Sequence, residues 1–226
     1  MQPQLQTFNV KEVIDRSNNV KSLILENNKA VKFIPGQYCF VSFPNEKLQR
    51  PFSYCNESGK RHIELTFKKT GYFTGRLFEL RKNDRLVIKG PCGGPLRLNE
   101  NYKNVILIAG GVGIAPFMSI LRTLKNKNIR TKINLFYSNK TKEDILFKDE
   151  LDSYKKFKII YTLTKEKPSA WNGETGRINF KLIKKYSDIS DSVFYVCGPD
   201  KMNTDIYNEL INAGMDKRNI RTEKWL

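Results

Sequence analysis

The apolar run Val105–Ala109, followed at once by the glycine-rich segment Gly110–Pro116, restricts the possible fold of this chain more than any other feature. Consecutive apolar side chains suit a strand that is buried on both faces, and such strands occur in parallel sheets covered by helices. The glycines predict a tight turn, and the helix predicted over Pro116–Leu124 has proline in its first turn. The segment therefore predicts a strand, a loop and a helix of a doubly wound α/β domain.

The alternation of strands and helices continues towards the C-terminus, as a doubly wound sheet requires. Strands are predicted over Ile133–Tyr137, Lys158–Leu163 and Val193–Cys197, and helices over Lys142–Tyr154, Phe180–Tyr186 and Asp200–Ala213. We therefore assign residues 101–226 to one α/β domain with a mostly parallel sheet.

Residues 1–100 follow a different pattern, in which turn-forming residues separate short runs rich in β-formers. Strands are predicted over Val20–Leu25, Tyr38–Phe43, His62–Phe67 and Arg85–Lys89, and one helix over Phe73–Leu80. Short strands at regular spacing are typical of a small antiparallel barrel or sandwich. The sequence thus predicts two domains, an N-terminal antiparallel β-barrel of residues 1–100 and the α/β domain of residues 101–226.

The charge of the chain is strongly positive, with 40 Lys and Arg against 23 Asp and Glu and a net charge of +17. Hydrophobic residues make up 39% of the chain, which excludes a disordered basic tail. Residues 1–100 and 101–226 are about equally basic, whereas a nucleic-acid-binding protein needs a basic stripe with interleaved aromatic residues. Two explanations of the charge remain, a general bias towards lysine and an acidic protein partner.

The cysteines and the N-terminus indicate a cellular compartment. The four cysteines are Cys39, Cys55, Cys92 and Cys197. They are too far apart for a C-x-x-C metal or redox motif and too few for a disulfide framework, so we predict no metal site and a reducing environment. Residues 1–8 lack the charged start and apolar core of a signal peptide, and glycines interrupt the uncharged stretch Asn104–Leu121. We expect a cytoplasmic protein without a membrane span.

Two segments of the α/β domain are candidates for ligand binding. Gly110–Pro116 can present backbone N–H groups to a phosphate at the start of a helix. Cys197-Gly198-Pro199 follows another predicted strand, and the carboxyl ends of parallel strands share one edge of the sheet. The alternative for Gly110–Pro116 is a tight turn that binds no ligand. The alternative for Cys197 is a small buried side chain without a functional role.

Two further candidates lie in the barrel. Arg50-Pro51-Phe52-Ser53 ends a predicted strand, and Gly71-Tyr72-Phe73-Thr74 opens the predicted helix. The guanidinium fork and a helix start with a threonine cap together suit a diphosphate. A surface charge and an ordinary cap are the alternatives.

The motifs at 50–53, 71–74, 110–116 and 197–199, with Gly-Pro-Cys-Gly at 90–93, occur in the order and spacing of the ferredoxin–NADP reductase superfamily. The chain resembles this family over essentially its whole length. The resemblance implies an FAD-binding barrel followed by an NAD(P)-binding domain. It also implies an oxidoreductase that moves a hydride from NAD(P)H to FAD and passes single electrons to ferredoxin, flavodoxin or a similar carrier.

The resemblance assigns roles in the flavin site. Arg50 would contact the pyrophosphate, Phe52 would pack on the isoalloxazine, and Ser53 would hydrogen-bond near flavin N5. Pro51 belongs to the same cofactor-binding segment. Backbone contacts would come from Thr66, Phe67 and Lys68, and phosphate contacts from Gly71, Tyr72, Phe73 and Thr74. Trp225 would cover the other face of the flavin, or is a packing residue at the chain end.

The resemblance also assigns the dinucleotide site. The pyrophosphate would be bound by Gly110, Gly111, Val112, Gly113, Ile114 and Pro116. Cys197 would lie beside the nicotinamide, and the adjoining Gly198 and Pro199 would also bind the cofactor. Ser53 and Cys197 would tune hydride transfer. A 2′-phosphate would be held by Ser138, Lys140, Thr164 and Lys165, although the choice between NADH and NADPH stays open.

Two departures from the family pattern keep alternative functions open. Phe52 replaces the usual tyrosine, a form shared with NAD(P)H:flavin reductases that use flavin as a substrate. With valine at position 112, the glycine-rich loop resembles that of the electron-transfer flavin subunits of dihydroorotate dehydrogenases and hydrogenases. Those subunits usually add a cysteine-rich iron–sulfur segment, which this chain lacks. A basic nucleic-acid-binding protein is the remote alternative, and the oligomeric state is open.

Overall fold

The computed structural model describes residues 2–98, 102–128 and 130–223. The chain divides into two compact units, one combining Met1–Leu98 with Ala115–Asn126 and the other combining Asn99–Ile114 with Lys127–Leu226. The antiparallel sheet expected in the N-terminal half and the parallel sheet expected in the C-terminal half are both confirmed.

The N-terminal part of the first unit, up to Leu98, contains six strands and a short helix. They are β1 (Gln4–Ser17), β2 (Val20–Val31), β3 (Tyr38–Ser42), β4 (Gln49–Ser53), β5 (Lys60–Lys68), α1 (Tyr72–Phe78) and β6 (Arg85–Cys92). The antiparallel sheet has the order β4-β3-β6-β1-β2-β5, so β4 and β5 end the order on its two sides. Alternate side chains such as Ile63, Leu65 and Phe67 of β5 point into one apolar core.

The sequence patterns missed β1, the longest strand of this unit. Most of its side chains are exposed or half-buried, and Phe8 and Val10 are its fully buried residues. Such a strand lacks the strict apolar alternation that marks a half-buried strand in a sequence.

The remaining elements form the parallel sheet and its helices. They are β7 (Asn104–Gly110), α2 (Ala115–Leu124), β8 (Lys132–Asn139), α3 (Lys148–Asp152), β9 (Lys158–Leu163), β10 (Glu174–Thr175), α4 (Phe180–Tyr186), β11 (Ser192–Cys197), α5 (Asp200–Asn212) and β12 (Ile220–Thr222). The sheet has the order β10-β9-β8-β7-β11-β12. A 3₁₀ helix, Gly111–Ile114, connects β7 to α2, and α2 itself belongs to the first compact unit.

The helix predicted over Lys142–Tyr154 is wrong in its first half, because α3 begins only at Lys148. Phe147 adopts a left-handed backbone with φ 57°, which a right-handed helix cannot continue through. Strands β10 and β12 were not predicted, since two and three residues are too few to show a periodic pattern. Among the described residues, no helix has both the length and the apolar character needed to cross a membrane.

A buried carboxyl group lies directly after β12. Glu223 is 6% exposed, and its Oε2 atom has no hydrogen-bond partner among the described residues. Burial raises the pKa of this carboxyl to about 7, because the charged form loses its hydration. The group therefore stays protonated in the folded chain at pH values where an exposed glutamate is ionised.

We predict that Glu223 lowers the stability of the protein as the pH rises from 4.5 to about 7. In this window the unfolded chain releases the proton and the folded chain retains it, so the free energy of unfolding falls. At about 1.4 kcal/mol per pKa unit, the loss is about 3 kcal/mol. Glu223→Gln cannot ionise, so urea unfolding should show it to be more stable than the wild type at about pH 8 and similar at low pH.

The control for this experiment is Glu143→Gln, which removes an exposed carboxylate. Its difference from the wild type should be small at both pH values. An equal pH dependence of the wild type and Glu223→Gln would contradict the prediction.

Candidate functional site

The first candidate site lies on β4, β5 and the start of α1. Phe52 on β4 and Phe67 on β5 meet edge to face with ring centroids 6.0 Å apart, although the two strands are not neighbours in the sheet order. Phe52 also stacks against Phe73 of α1 at 6.2 Å. Aromatic contacts thus bring together three segments that the sequence motifs selected separately.

The end of β4 offers three different chemical groups to a ligand. Ser53 is 7% exposed, and its hydroxyl has no hydrogen-bond partner among the described residues. A buried hydroxyl without a partner is costly, so a polar ligand atom would stabilise it. Phe52 is half-buried, and the exposed Arg50 donates one hydrogen bond to the Gln49 carbonyl at 3.0 Å. The aromatic face of Phe52 and the hydroxyl of Ser53 fit the ring of a flavin, and the cation of Arg50 fits its phosphates.

The side chain of Thr66 on β5 makes its contacts inside the barrel. Its hydroxyl lies 2.7 Å from the Ser22 hydroxyl and 3.6 Å from the Cys55 Sγ atom. β5 ends the sheet order, so one row of its backbone groups faces away from β2. A ligand could be contacted by the backbone of residues 66–68 but not by the Thr66 hydroxyl.

The start of α1 is closed by Thr74. The Thr74 hydroxyl accepts hydrogen bonds from the backbone N–H groups of Thr70 at 2.9 Å and Gly71 at 3.1 Å. Tyr72, by contrast, is 75% exposed. Phosphate binding by residues 71–74 stays a prediction. The Thr74 hydroxyl already accepts two backbone hydrogen bonds at the start of the helix, so the phosphate contacts are expected from the backbone.

The second candidate site lies where β7 and β11 end. Ala109 and Cys197 are register partners in the two parallel strands. A Cβ atom on Gly113 would lie 2.2 Å from the Cys197 carbonyl oxygen, and one on Gly110 would lie 2.9 Å from Pro199 Cδ. Both positions therefore require glycine for close packing, and the two predicted segments are in contact.

Gly111 has a different reason to be glycine. Its φ is 52°, and a Cβ atom there would meet nothing within 4 Å. The open space beside Gly111 leaves its backbone accessible to a phosphate, which fits a dinucleotide at this turn. Val112 is half-buried, and Ile114 is fully buried.

Cys197 is 2% exposed, so its thiol belongs to the buried part of this edge. Asn203 of α5 connects the edge to the chain end, because its amide donates to the Gly198 carbonyl at 3.0 Å and the Glu223 carbonyl at 2.9 Å. Glu223 cannot be recognised from the sequence, since a single glutamate after a three-residue strand leaves no pattern. Trp225, predicted to cover the flavin, lies outside the described residues.

The predicted 2′-phosphate residues lie at the adjacent ends of β8 and β9. Ser138 is buried and accepts a hydrogen bond from Thr162 at 3.4 Å, and the Thr164 hydroxyl donates to the Asn139 carbonyl at 3.2 Å. The backbone N–H of Lys165 donates to the Lys140 carbonyl at 3.0 Å. Both hydroxyls are thus used within the fold, whereas the two lysine side chains belong to exposed residues.

Asn139 was not selected from the sequence. Its side chain is 5% exposed, and neither amide atom has a partner among the described residues. Asparagine is too common in this chain for the residue to be recognised without the structure.

Both halves of the chain match the models of known protein families. Residues 7–95 match the family model of the oxidoreductase FAD-binding domain, and residues 107–208 match that of the oxidoreductase NAD-binding domain. NADH-cytochrome b5 reductase 2 of Debaryomyces hansenii is 35% identical over 202 residues, which cover 82% of this chain and 67% of that protein. Sulfhydrogenase 2 subunit gamma of Pyrococcus furiosus is 32% identical over 227 residues, covering 91% of this chain and 77% of that one.

Solved structures share the fold. The ferredoxin reductase in carbazole 1,9a-dioxygenase superposes with a TM-score of 0.89 at 21% identity, over 100% of this chain and 70% of that chain. A ferredoxin NADP+ reductase from Neisseria gonorrhoeae with bound FAD and NADP gives 0.83 at 20% identity, over 97% of this chain and 98% of that chain. With its two matching domain families and its relatives above 30% identity, this chain belongs to the ferredoxin–NADP reductase superfamily of FAD-containing, NAD(P)H-dependent oxidoreductases.

Proposed function

We propose that this protein oxidises NADH and passes the electrons through FAD, one at a time, to a small acidic carrier protein. The observation that carries the proposal is the buried Ser53 hydroxyl without a partner, beside the half-buried ring of Phe52. When bound, the flavin supplies the redox chemistry, because it takes up two electrons as a hydride and releases them singly.

The residues of β4 have separate tasks in this proposal. Arg50 binds the diphosphate through its guanidinium fork, and Phe52 packs against the flavin ring and excludes water from it. Ser53 forms a hydrogen bond with the reacting edge of the ring. The backbone of residues 66–68 and of residues 71–74 completes the site.

In the α/β half of the chain, residues 101–226, the turn Gly110–Ile114 with Pro116 binds the dinucleotide pyrophosphate, and Cys197-Gly198-Pro199 lies beside the nicotinamide. The support is the contact between these two segments and the open space at Gly111. We also propose residues 1–100 as the FAD-binding domain and residues 101–226 as the NAD(P)-binding domain. A cytoplasmic location is proposed because the cysteines are free, as is usual in a reducing compartment.

The purified protein should show flavin absorbance bands that bleach when NADH is added without oxygen. We predict that Ser53→Ala slows this bleaching about tenfold, since one hydrogen bond at the reacting edge contributes about 1.4 kcal/mol. The measurement is stopped-flow absorbance under anaerobic conditions. Ser119→Ala is the matched control, because Ser119 is also buried with a hydroxyl that lacks a partner among the described residues.

Bands that do not bleach with either nicotinamide nucleotide would contradict the proposal. Absence of bands, with NADH oxidation that requires added free flavin, would instead support a flavin reductase. That alternative is favoured by Phe52, which lacks the hydroxyl of the usual tyrosine.

NADH is proposed as the donor because the hydroxyls of Ser138 and Thr164 are hydrogen-bonded within the fold. We predict that kcat/KM for NADH exceeds that for NADPH by at least about tenfold. Steady-state kinetics with both nucleotides should show that Lys165→Ala leaves this ratio nearly unchanged. A preference for NADPH that Lys165→Ala abolishes would contradict the proposal and place Lys165 at the 2′-phosphate.

The carrier is proposed to be a ferredoxin, a flavodoxin or a similar acidic protein, on the basis of the net charge of +17. Attraction between opposite charges weakens when salt shortens the Debye length, which is about 8 Å at physiological ionic strength. We predict that kcat/KM for an acidic ferredoxin falls at least about tenfold when salt is raised from low to high concentration. The basic carrier cytochrome c serves as the control, and an unchanged rate with ferredoxin would contradict electrostatic attraction.

A further inference from the structure

A buried ionic network crosses the first compact unit. Glu64 on β5 has a side chain only 6% exposed, and each of its carboxylate oxygens is paired with a different arginine. Arg16 of β1 approaches Oε1 at 2.9 Å, and Arg122 of α2 approaches Oε2 at 2.5 Å. Such a carboxylate tolerates burial because both of its oxygens meet cations.

Arg122 makes a second contact that relates this network to the flavin site. The Nη1 atom that meets Glu64 also donates a hydrogen bond to the Cys55 carbonyl at 3.0 Å. Cys55 follows Ser53 by two residues, and its own N–H donates to the Glu64 carbonyl at 2.9 Å. One guanidinium group therefore holds both β5 and the segment that continues from β4.

Helix α2, which carries Arg122, begins at Ala115, directly after the 3₁₀ turn Gly111–Ile114. Ile114, the last residue of that turn, is joined to Ala115 by one peptide bond, so the turn and α2 are consecutive in the chain. The Arg122 side chain is 12% exposed, so its contacts with Glu64 and Cys55 are shielded from solvent. The helix after the proposed dinucleotide turn is thereby attached to the strand segments of the proposed flavin site.

We propose that Arg122 and Glu64 are positioning residues for hydride transfer, which hold α2 against the segment that carries Ser53. This inference rests on the proposed function. Neither residue touches the reacting atoms; each acts by fixing a backbone element. Hydride transfer is sensitive to such elements, since a displacement of about 1 Å can slow a reaction about 100-fold.

Arg16 distinguishes positioning from general stabilisation. It pairs with the same carboxylate and donates to the Ser22 hydroxyl at 2.9 Å, and Glu64 and Ser22 lie on the barrel strands β5 and β2. Removing Arg16 leaves Glu64 with one cation, as removing Arg122 does, yet it leaves the attachment of α2 intact. A purely structural role predicts similar effects of the two changes, whereas a positioning role predicts different ones.

The experiment compares Arg122→Met and Glu64→Gln with Arg16→Met in the FAD-loaded protein. Glu26→Gln is the control, because Glu26 is an exposed carboxylate on β2 that lies 3.9 Å from Lys11. Three quantities are measured: the FAD dissociation constant, the rate of flavin reduction by NADH, and hydrogen exchange of the α2 backbone amides. Arg122→Lys replaces Arg122→Met if that variant does not fold, since lysine keeps the charge but lacks the planar fork.

We expect Arg122→Met and Glu64→Gln to slow flavin reduction at least about tenfold and to speed exchange in α2, while FAD affinity changes less than about threefold. Arg16→Met and Glu26→Gln should reduce the flavin at nearly the wild-type rate. Equal slowing by Arg16→Met and Arg122→Met, or unchanged α2 exchange in Arg122→Met, would overturn the inference. If NADH fails to reduce the flavin of the wild type, the proposed function fails, and the exchange of α2 still decides whether Arg122 anchors the helix.

Discussion

The close approach of the turn after β7 to the end of β11 is the constraint on which the dinucleotide-binding unit depends. With 2.2 Å between a Cβ position on Gly113 and the Cys197 carbonyl oxygen, no side chain fits without moving the backbone. β7 lies between β8 and β11, so the order of the strands reverses at this point. Ligands of open α/β sheets bind at such reversals, and here glycine allows the turn to pack directly against the end of the neighbouring strand.

The sequence predicted the features that are encoded locally by residue type. A strand, a turn and a helix were expected around Gly110–Pro116, because an apolar run and glycines leave few alternatives. Features that depend on partners distant in the sequence could not be predicted. Arg122 is one of 40 Lys and Arg residues, and its contacts with Glu64 and the Cys55 carbonyl become visible only in the structure. β1 was missed for a related reason. It pairs with two other strands, but half of its side chains are exposed, so its own residues show no apolar pattern.

Two buried glutamates of this chain have very different surroundings. Glu64 meets two guanidinium groups, and removing one partner of such a buried pair typically costs about 3–5 kcal/mol. Glu223 has no ion pair among the described residues, and burial raises its pKa to about 7. Glu64 thus has two arginine partners within its unit, whereas burial without an ion pair among the described residues favours the neutral form of Glu223. Neither environment can be read from a single glutamate in a sequence.

The four cysteine thiols are buried, so their rates of chemical modification can report transient opening of the fold. Burial raises the pKa of the Cys39 and Cys55 thiols, so the reactive thiolate is suppressed while they remain enclosed. Alkylating reagents can then reach each sulfur only during excursions that expose it. Cys39, Cys55 and Cys92 lie in the first unit and Cys197 in the second. Mass spectrometry of alkylated peptides would therefore resolve how often each unit opens, without any introduced label.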